Sequence, residues 1–164
     1  MKSKVKSDSG ATITSGGENQ WKYFEIGKVN SVTPAQGQID TVVTIMGARL
    51  LGGGKSVRSL ILGGVELNST IKEATNDRIV LVSKNGGENE HDLRIVSDTG
   101  AFITTTNVWS YLKAGSISSV QPDYGQFKTR VTIKGDRLMG GRASISNILL
   151  AGISVAVCYI IILL

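Results

Sequence analysis

The chain repeats itself, and that repetition constrains its fold more than any other feature. Residues 21–67 open WKYFEIGKVNSVTPAQGQIDTVVTIMGARLLGGG, and residues 109–155 open WSYLKAGSISSVQPDYGQFKTRVTIKGDRLMGGR. At an offset of about 88, about 20 of about 47 positions are identical, where chance gives about 3. SDSGATIT at Ser7–Thr14 likewise matches SDTGAFIT at Ser97–Thr104. The unit of about 88 residues has the size of a small β-sandwich. Residues 1–26 read as the C-terminal end of one unit, 27–113 as a complete unit and 114–155 as the N-terminal half of a third. Residues 156–164 are an apolar tail that departs from the pattern. The expectation is a piece of a longer tandem array, or a truncated gene model.

The two copies act as controls on each other. Thr41–Met46 runs T-V-V-T-I-M, and Thr129–Lys134 runs T-R-V-T-I-K. Val43 and Ile45 reappear as Val131 and Ile133, whereas Val42 and Met46 become Arg130 and Lys134. Alternate residues of a strand face opposite sides, so Val43 and Ile45 face the core, and Val42, Thr44 and Met46 face out. Further strands are expected at Val57–Leu62, Ile145–Leu150, Ile79–Val82, Asp92–Ser97 and Ala101–Thr105, the last two joined by a turn at Asp98–Gly100. Trp109 and Tyr111 share one face, as do Trp21 and Tyr23. No window holds a helical period. With 20 Gly, 2 Pro and 41% hydrophobic residues, the chain reads as an all-β sandwich. Its predicted core includes Val43, Ile45, Leu62, Trp109 and Tyr111. The half-unit after residue 113 lacks later strands, so Val131, Ile133 and Leu150 are expected to have no cover. Two chains could bring the end pieces together, but strands equivalent to 68–88 would be missing.

The run SVTP–GQ–T-VTI-G-RL-GGG–V-S-ILGGV at Ser31–Val65, with its counterpart SVQP–GQ–TRVTIKGDRLMGG from Ser119, resembles the IPT/TIG domain (immunoglobulin-like, plexins, transcription factors). Pro34 with Gly37, the strand ending at Gly47 and the late Trp-x-Tyr segment all fit, and the resemblance spans about residues 1–155. It implies an early-set immunoglobulin-like sandwich with no shared catalytic motif. Tandem arrays of such domains imply an extracellular or cell-surface protein in which the repeats act as spacer and protein-interaction or adhesion surface. The protein partner is unknown. Two alternatives stand beside it: a dimerisation and DNA-contacting domain of an intracellular transcription factor, and an accessory domain of a carbohydrate-active enzyme.

Single motifs add little chemistry. Gly54-Lys55-Ser56 invites a phosphate-loop reading, but Arg49 stands where the motif needs glycine and a strand follows where it needs a helix. The stretch Asn85 to Asp92 gathers oxygen ligands without a calcium-loop spacing, and a polar hairpin tip has the same composition. His91, the one histidine, reads as an exposed loop residue with no nucleophile beside it. Cys158, the one cysteine, excludes an intrachain disulfide and a cysteine-rich zinc site. No catalytic, cofactor-binding or metal residue is assigned, no cofactor is called for, and no enzymatic activity or small-molecule substrate is expected. Asn68-Ser69-Thr70 is an N-glycosylation acceptor triplet in a predicted turn, which makes Asn68 the one candidate modification site.

Charge points the same way. The net charge is +5, from 18 basic and 13 acidic residues. The looser basic group at Lys128, Arg130, Lys134, Arg137 and Arg142 is not a repeated face, since Val42 and Met46 hold the equivalent places of Arg130 and Lys134. Nucleic-acid binding is therefore expected to be weak and insensitive to sequence. The N-terminal MKSKVKSDSG has no apolar stretch behind its lysines and is no signal peptide. Ile148–Leu164 is almost wholly apolar but shorter than the ~20 residues a membrane helix needs. The tail reads as a translated non-coding or mis-spliced end, with a short membrane anchor or an atypical strand as alternatives. A membrane contact is expected only through it.

Overall fold

The computed structural model describes residues 2–17, 21–87, 91–141, 143–155 and the backbone of 160–163. Cys158 and Arg142 lie outside the described residues, as do Glu88, Asn89 and Glu90 of the oxygen-rich loop. Two short strands open the chain, β1 (Lys4–Lys6) and β2 (Thr12–Thr14), paired antiparallel. The central unit follows: β3 (Lys28–Thr33), β4 (Gln36–Gly37), β5 (Val42–Ala48), β6 (Val57–Leu62), β7 (Val65–Glu66), β8 (Ile71–Ala74), β9 (Arg78–Val82), β10 (Leu93–Ser97), β11 (Phe102–Thr105) and β12 (Ser110–Tyr111). One sheet has the order β3-β5-β9-β8 and the other β11-β10-β6-β7, while β12 pairs parallel with β4. The fold is an all-β, immunoglobulin-like sandwich.

Alternation decides which side chains the sheets enclose. Val43, Ile45, Leu60, Leu62, Ile79, Leu81 and Leu93 have no exposed surface, and Ile95 and Trp109 have 1% each. Val42 and Met46 are 55% and 41% exposed, as the swap to Arg130 and Lys134 predicts. Every member of this core cluster lies between Val29 and Tyr111. Tyr111 stacks edge-on against Trp109 at 5.5 Å between ring centres, and its hydroxyl donates to the Leu62 carbonyl at 3.3 Å. The Trp109 indole N–H is buried without a partner among the described residues.

After residue 113 come β13 (Ser116–Gln121), β14 (Val131–Asp136), β15 (Ile148–Leu150), β16 (Ile153–Val155) and β17 (Ile160–Leu163). The order β13-β14-β17 mirrors β3-β5-β9, but β17 runs parallel to β14 where β9 runs antiparallel to β5. Part of the tail is thus a strand, not a helical anchor, and no helix among the described residues is long and apolar enough to cross a membrane. This corrects two expectations. Val131 and Ile133 are buried, at 8% and 6% exposed, because the neighbouring strand position is filled. The strand expected at Ile145–Leu150 is only the three residues of β15.

Left-handed backbone recurs at the same spacing. Asp40 and Lys128, Arg49 and Arg137, Gly52 and Gly140, and Gly64 and Gly152 form pairs with matching positive φ. Gly63 (φ 55°) has Ala151 (φ 49°) as its counterpart, so an L side chain there sits where glycine is preferred.

Candidate functional site

Three places hold the residues singled out by sequence, and a fourth was not foreseen. The loop of Gly54, Lys55 and Ser56 is occupied by the protein's own anion. The Lys55 amide donates to both carboxylate oxygens of Asp98 at 3.2 Å, and the Ser56 hydroxyl donates to Asp98 Oδ2 at 3.3 Å. The donors a phosphate would need thus hold the β10–β11 turn, and β6 follows rather than a helix.

Asn68 is exposed and lies in a single 3₁₀ turn, Asn68–Thr70. Its Oδ1 accepts the Leu60 N–H at 2.6 Å, and its Nδ2 donates to the Arg58 carbonyl at 3.3 Å and to Glu66 Oε1 at 2.8 Å. The carboxamide thereby imitates a strand residue laid alongside β6 beyond the end of β7. The counterpart of Asn68 is Ala156, which offers no such group. That absence accompanies the short β15.

His91 is half-buried rather than a free loop side chain. Its Nδ1 lies 2.9 Å from the Trp109 carbonyl and 3.2 Å from Ser110 Oγ. A carbonyl can only accept, so Nδ1 carries the proton. That nitrogen therefore cannot take a proton from Ser110. Its backbone carbonyl accepts the N–H groups of Val108 and Trp109, so His91 fastens the segment leading into β12. Burial of Tyr111 pushes its phenol above the usual tyrosine range. No group of three or more His, Cys, Asp or Glu side chains is placed to hold a metal ion among the described residues.

The unforeseen feature is an open depression of about 650 Å³ lined by Val120, Gln121, Pro122, Asp123, Tyr124, Arg130 and Thr132. Tyr124 and the nearby Phe127 are 85% and 88% exposed, and the Lys128 ammonium lies 5.7 Å from the Phe127 ring centre. The central unit has Ala35, Gln36 and Val42 at the places of Asp123, Tyr124 and Arg130. Sequence did carry a signal here, since exposed positions at which the two copies diverge are free to specialise.

The joints between successive units are also alike. A Cβ on Gly53 would meet the Phe24 ring at 3.1 Å, and one on Gly141 would meet Leu112, the counterpart of Phe24. Arg49 Nη2 donates to the Ile26 carbonyl at 3.4 Å, and Arg137 Nε donates to the equivalent Ala114 carbonyl at 3.2 Å. Within the central unit, the Gln38 carboxamide donates to the Lys113 carbonyl at 2.7 Å, beside the second joint.

No family model and no curated protein matches the chain. Several solved structures are similar in fold. The full extracellular region of plexin A4 is 21% identical with a TM-score of 0.50, over 68% of this chain and 9% of that one. An auxiliary nutrient binding protein from Bacteroides ovatus is 15% identical with a TM-score of 0.45, over 60% and 24%. The surface glycan-binding protein PbSGBP-B from Prevotella bryantii is 15% identical with a TM-score of 0.41, over 70% and 28%. This chain spans between about a tenth and less than a third of each of these.

Proposed function

We propose that the chain is a run of IPT/TIG-type units, 27–113 complete with partial units on either side, from an extracellular or cell-surface protein. It serves as a non-catalytic spacer and protein-interaction surface. The observation that carries this reading is the repeated joint: the same glycine turn takes up Phe24 in one case and Leu112 in the other, under the same arginine clamp. Joints built alike hold successive units at one fixed angle, which is what a spacer requires. The motif resemblance and the plexin-like fold support the same family. The depression at Tyr124 and Arg130 offers a place where one unit differs from its neighbour and so can select a partner. Asn68 remains the candidate glycan acceptor.

Small-angle scattering on the full chain at high dilution tests the spacer role. The expected profile fits one rigid arrangement, and Arg137→Ala with Leu112→Ala broadens it. A wild-type profile already requiring a wide ensemble of inter-unit angles would refute the reading. The intracellular alternative predicts tight, sequence-selective duplex DNA binding at physiological salt. The ceiling expected here is non-specific affinity of about 10⁻⁴–10⁻⁶ M.

A further inference from the structure

The loop between β13 and β14 keeps the frame of its counterpart and changes what it displays. In the central unit the Gln38 N–H donates to Thr41 Oγ1 at 3.1 Å, and in the third unit the Gln126 N–H donates to Thr129 Oγ1 at 3.0 Å. A Cβ on Gly37 would run into Thr41, as one on Gly125 would run into Thr129. Upon this shared frame Ala35, Gln36, Ile39, Asp40 and Val42 give way to Asp123, Tyr124, Phe127, Lys128 and Arg130. Every replacement is aromatic or charged. All five counterparts stay exposed in the complete central unit, so the strands that complete a unit do not cover this face.

The depression offers both donors and acceptors. Arg130 and Thr132 share the outward side of β14, opposite to the buried Val131 and Ile133. Gln121 lies across from Thr132 in the β13–β14 register, and Asp123 and Tyr124 complete this side of the lining. Among the described residues the ion pairs are Arg49 with Glu25 and Arg78 with Glu73. Asp123 and Arg130 thus line one depression without neutralising each other. Tyr124 presents an open ring, whereas the Lys128 ammonium stands over the Phe127 ring. Exposed Lys134 continues the outward side of β14 about 7 Å beyond Thr132. With Lys134 this face holds three cations and one carboxylate, where the equivalent places of the central unit hold a single charge, Asp40.

We infer that this depression binds an acidic saccharide, a sugar chain that bears carboxylates. The flat C–H face of a sugar ring lies on the Tyr124 ring, whose own face is electron-rich. Sugar hydroxyls both donate and accept, so they donate to Asp123 and accept from the Gln121 amide and the Thr132 hydroxyl. A carboxylate on the sugar takes the planar fork of Arg130. Lys128 and Lys134 extend the attraction to neighbouring sugars of the chain. A nucleic-acid strand fits less well: its phosphates would lie against Asp123, and the second ring, Phe127, is already engaged by Lys128. An acidic peptide supplies carboxylates but no ring face and no run of hydroxyls. The inference rests on reading this depression as the place where one unit selects a partner, and not on the spacer role.

The test is a titration of the isotope-labelled full chain with tetragalacturonate, followed by amide chemical shifts. Saturable shifts are expected at residues 121–132 and not at their counterparts 33–44. Tyr124→Gln and Arg130→Val each install the residue that the central unit carries on the same frame, so the fold tolerates them, and unchanged shifts elsewhere check this. Tyr124→Gln is expected to weaken binding about tenfold. Arg130→Val is expected to weaken it about tenfold or more and to remove the preference over neutral maltotetraose. No saturable shift by about 10 mM ligand would overturn the inference. So would maltotetraose binding as tightly as tetragalacturonate, or either variant binding like the wild type. Tighter binding of tetraglutamate or of oligothymidine would overturn it in favour of a peptide or a nucleic acid. None of these outcomes touches the joints, so the spacer reading stands or falls separately by scattering.

Discussion

Removing the Asn68 carboxamide should cost the central unit far more than an exposed side chain normally does. Asn68→Ala breaks the 2.6 Å bond from the Leu60 N–H, the 3.3 Å bond to the Arg58 carbonyl and the 2.8 Å bond to Glu66. The Glu66 contact lies in solvent and contributes little. The other two groups belong to the backbone of β6 beside the fully buried Leu60. A net hydrogen bond is worth about 1 kcal/mol, and a shielded N–H left without a partner costs about 1–3 kcal/mol. The expected loss is about 2–3 kcal/mol, a fall of roughly 10–20 °C in melting temperature for a domain of this size. Glu66→Ala is the control and should cost less than about 0.5 kcal/mol. Urea titration of the full chain, followed by near-ultraviolet circular dichroism, measures both. A loss within about 0.5 kcal/mol for Asn68→Ala would refute the strand-mimic argument. Glycan attachment at Nδ2 leaves a single N–H there, so the glycosylated form should be about 1 kcal/mol less stable than the bare one. Protein secreted from a eukaryotic host, with and without enzymatic deglycosylation, gives that comparison.

Ile45→Ala should cost about 2–5 kcal/mol, against less than about 0.5 kcal/mol for Met46→Ala on the outer face; equal effects in denaturant titration would overturn the register. Burial raises the Tyr111 phenol, so the native state holds its proton longer than the unfolded chain does. The resulting stability is whole below the unfolded tyrosine pKa of about 10 and is lost as pH rises through the higher native value; Tyr111→Phe should flatten that alkaline fall in a pH series of melting curves. Ala151→Gly should stabilise the third unit by about 0.5–1 kcal/mol by relieving the left-handed backbone, and a lowered unfolding midpoint would contradict this.

Much of the fold was legible because the sequence contains its own comparison. The exchange of Val42 for Arg130 beside an unchanged Val43 and Val131 told inside from outside without any coordinates. His91 was not legible, because the carbonyl that holds it belongs to Trp109, 18 residues away, and sheet packing alone brings them together. The pairing of the tail was not legible for a related reason, although a strand there was among the expected alternatives. Its sequence match ends after Val155, while parallel pairing with β14 depends on a neighbouring strand position being open, and local pattern does not report that. The depression at Tyr124 lay hidden in the same comparison that exposed the core, since the positions where two copies differ are read as noise when the fold is sought.

The parallel pair β4–β12 has a mechanical consequence. It is held by the Ser110 N–H on the Ala35 carbonyl at 2.9 Å and the Leu112 N–H on the Gly37 carbonyl at 2.8 Å. If the chain serves as the spacer proposed above, tension enters the central unit at Gly27, near the start of β3, and leaves it past Tyr111 at the end of β12. Adjacent parallel strands pulled from opposite ends slide lengthwise, so their hydrogen bonds bear the load together instead of opening one by one. This short clasp is therefore the element that resists such a pull, and its rupture releases β12 and withdraws Trp109 from the core. A unit stretched in this way resists up to a threshold and then yields in a single step.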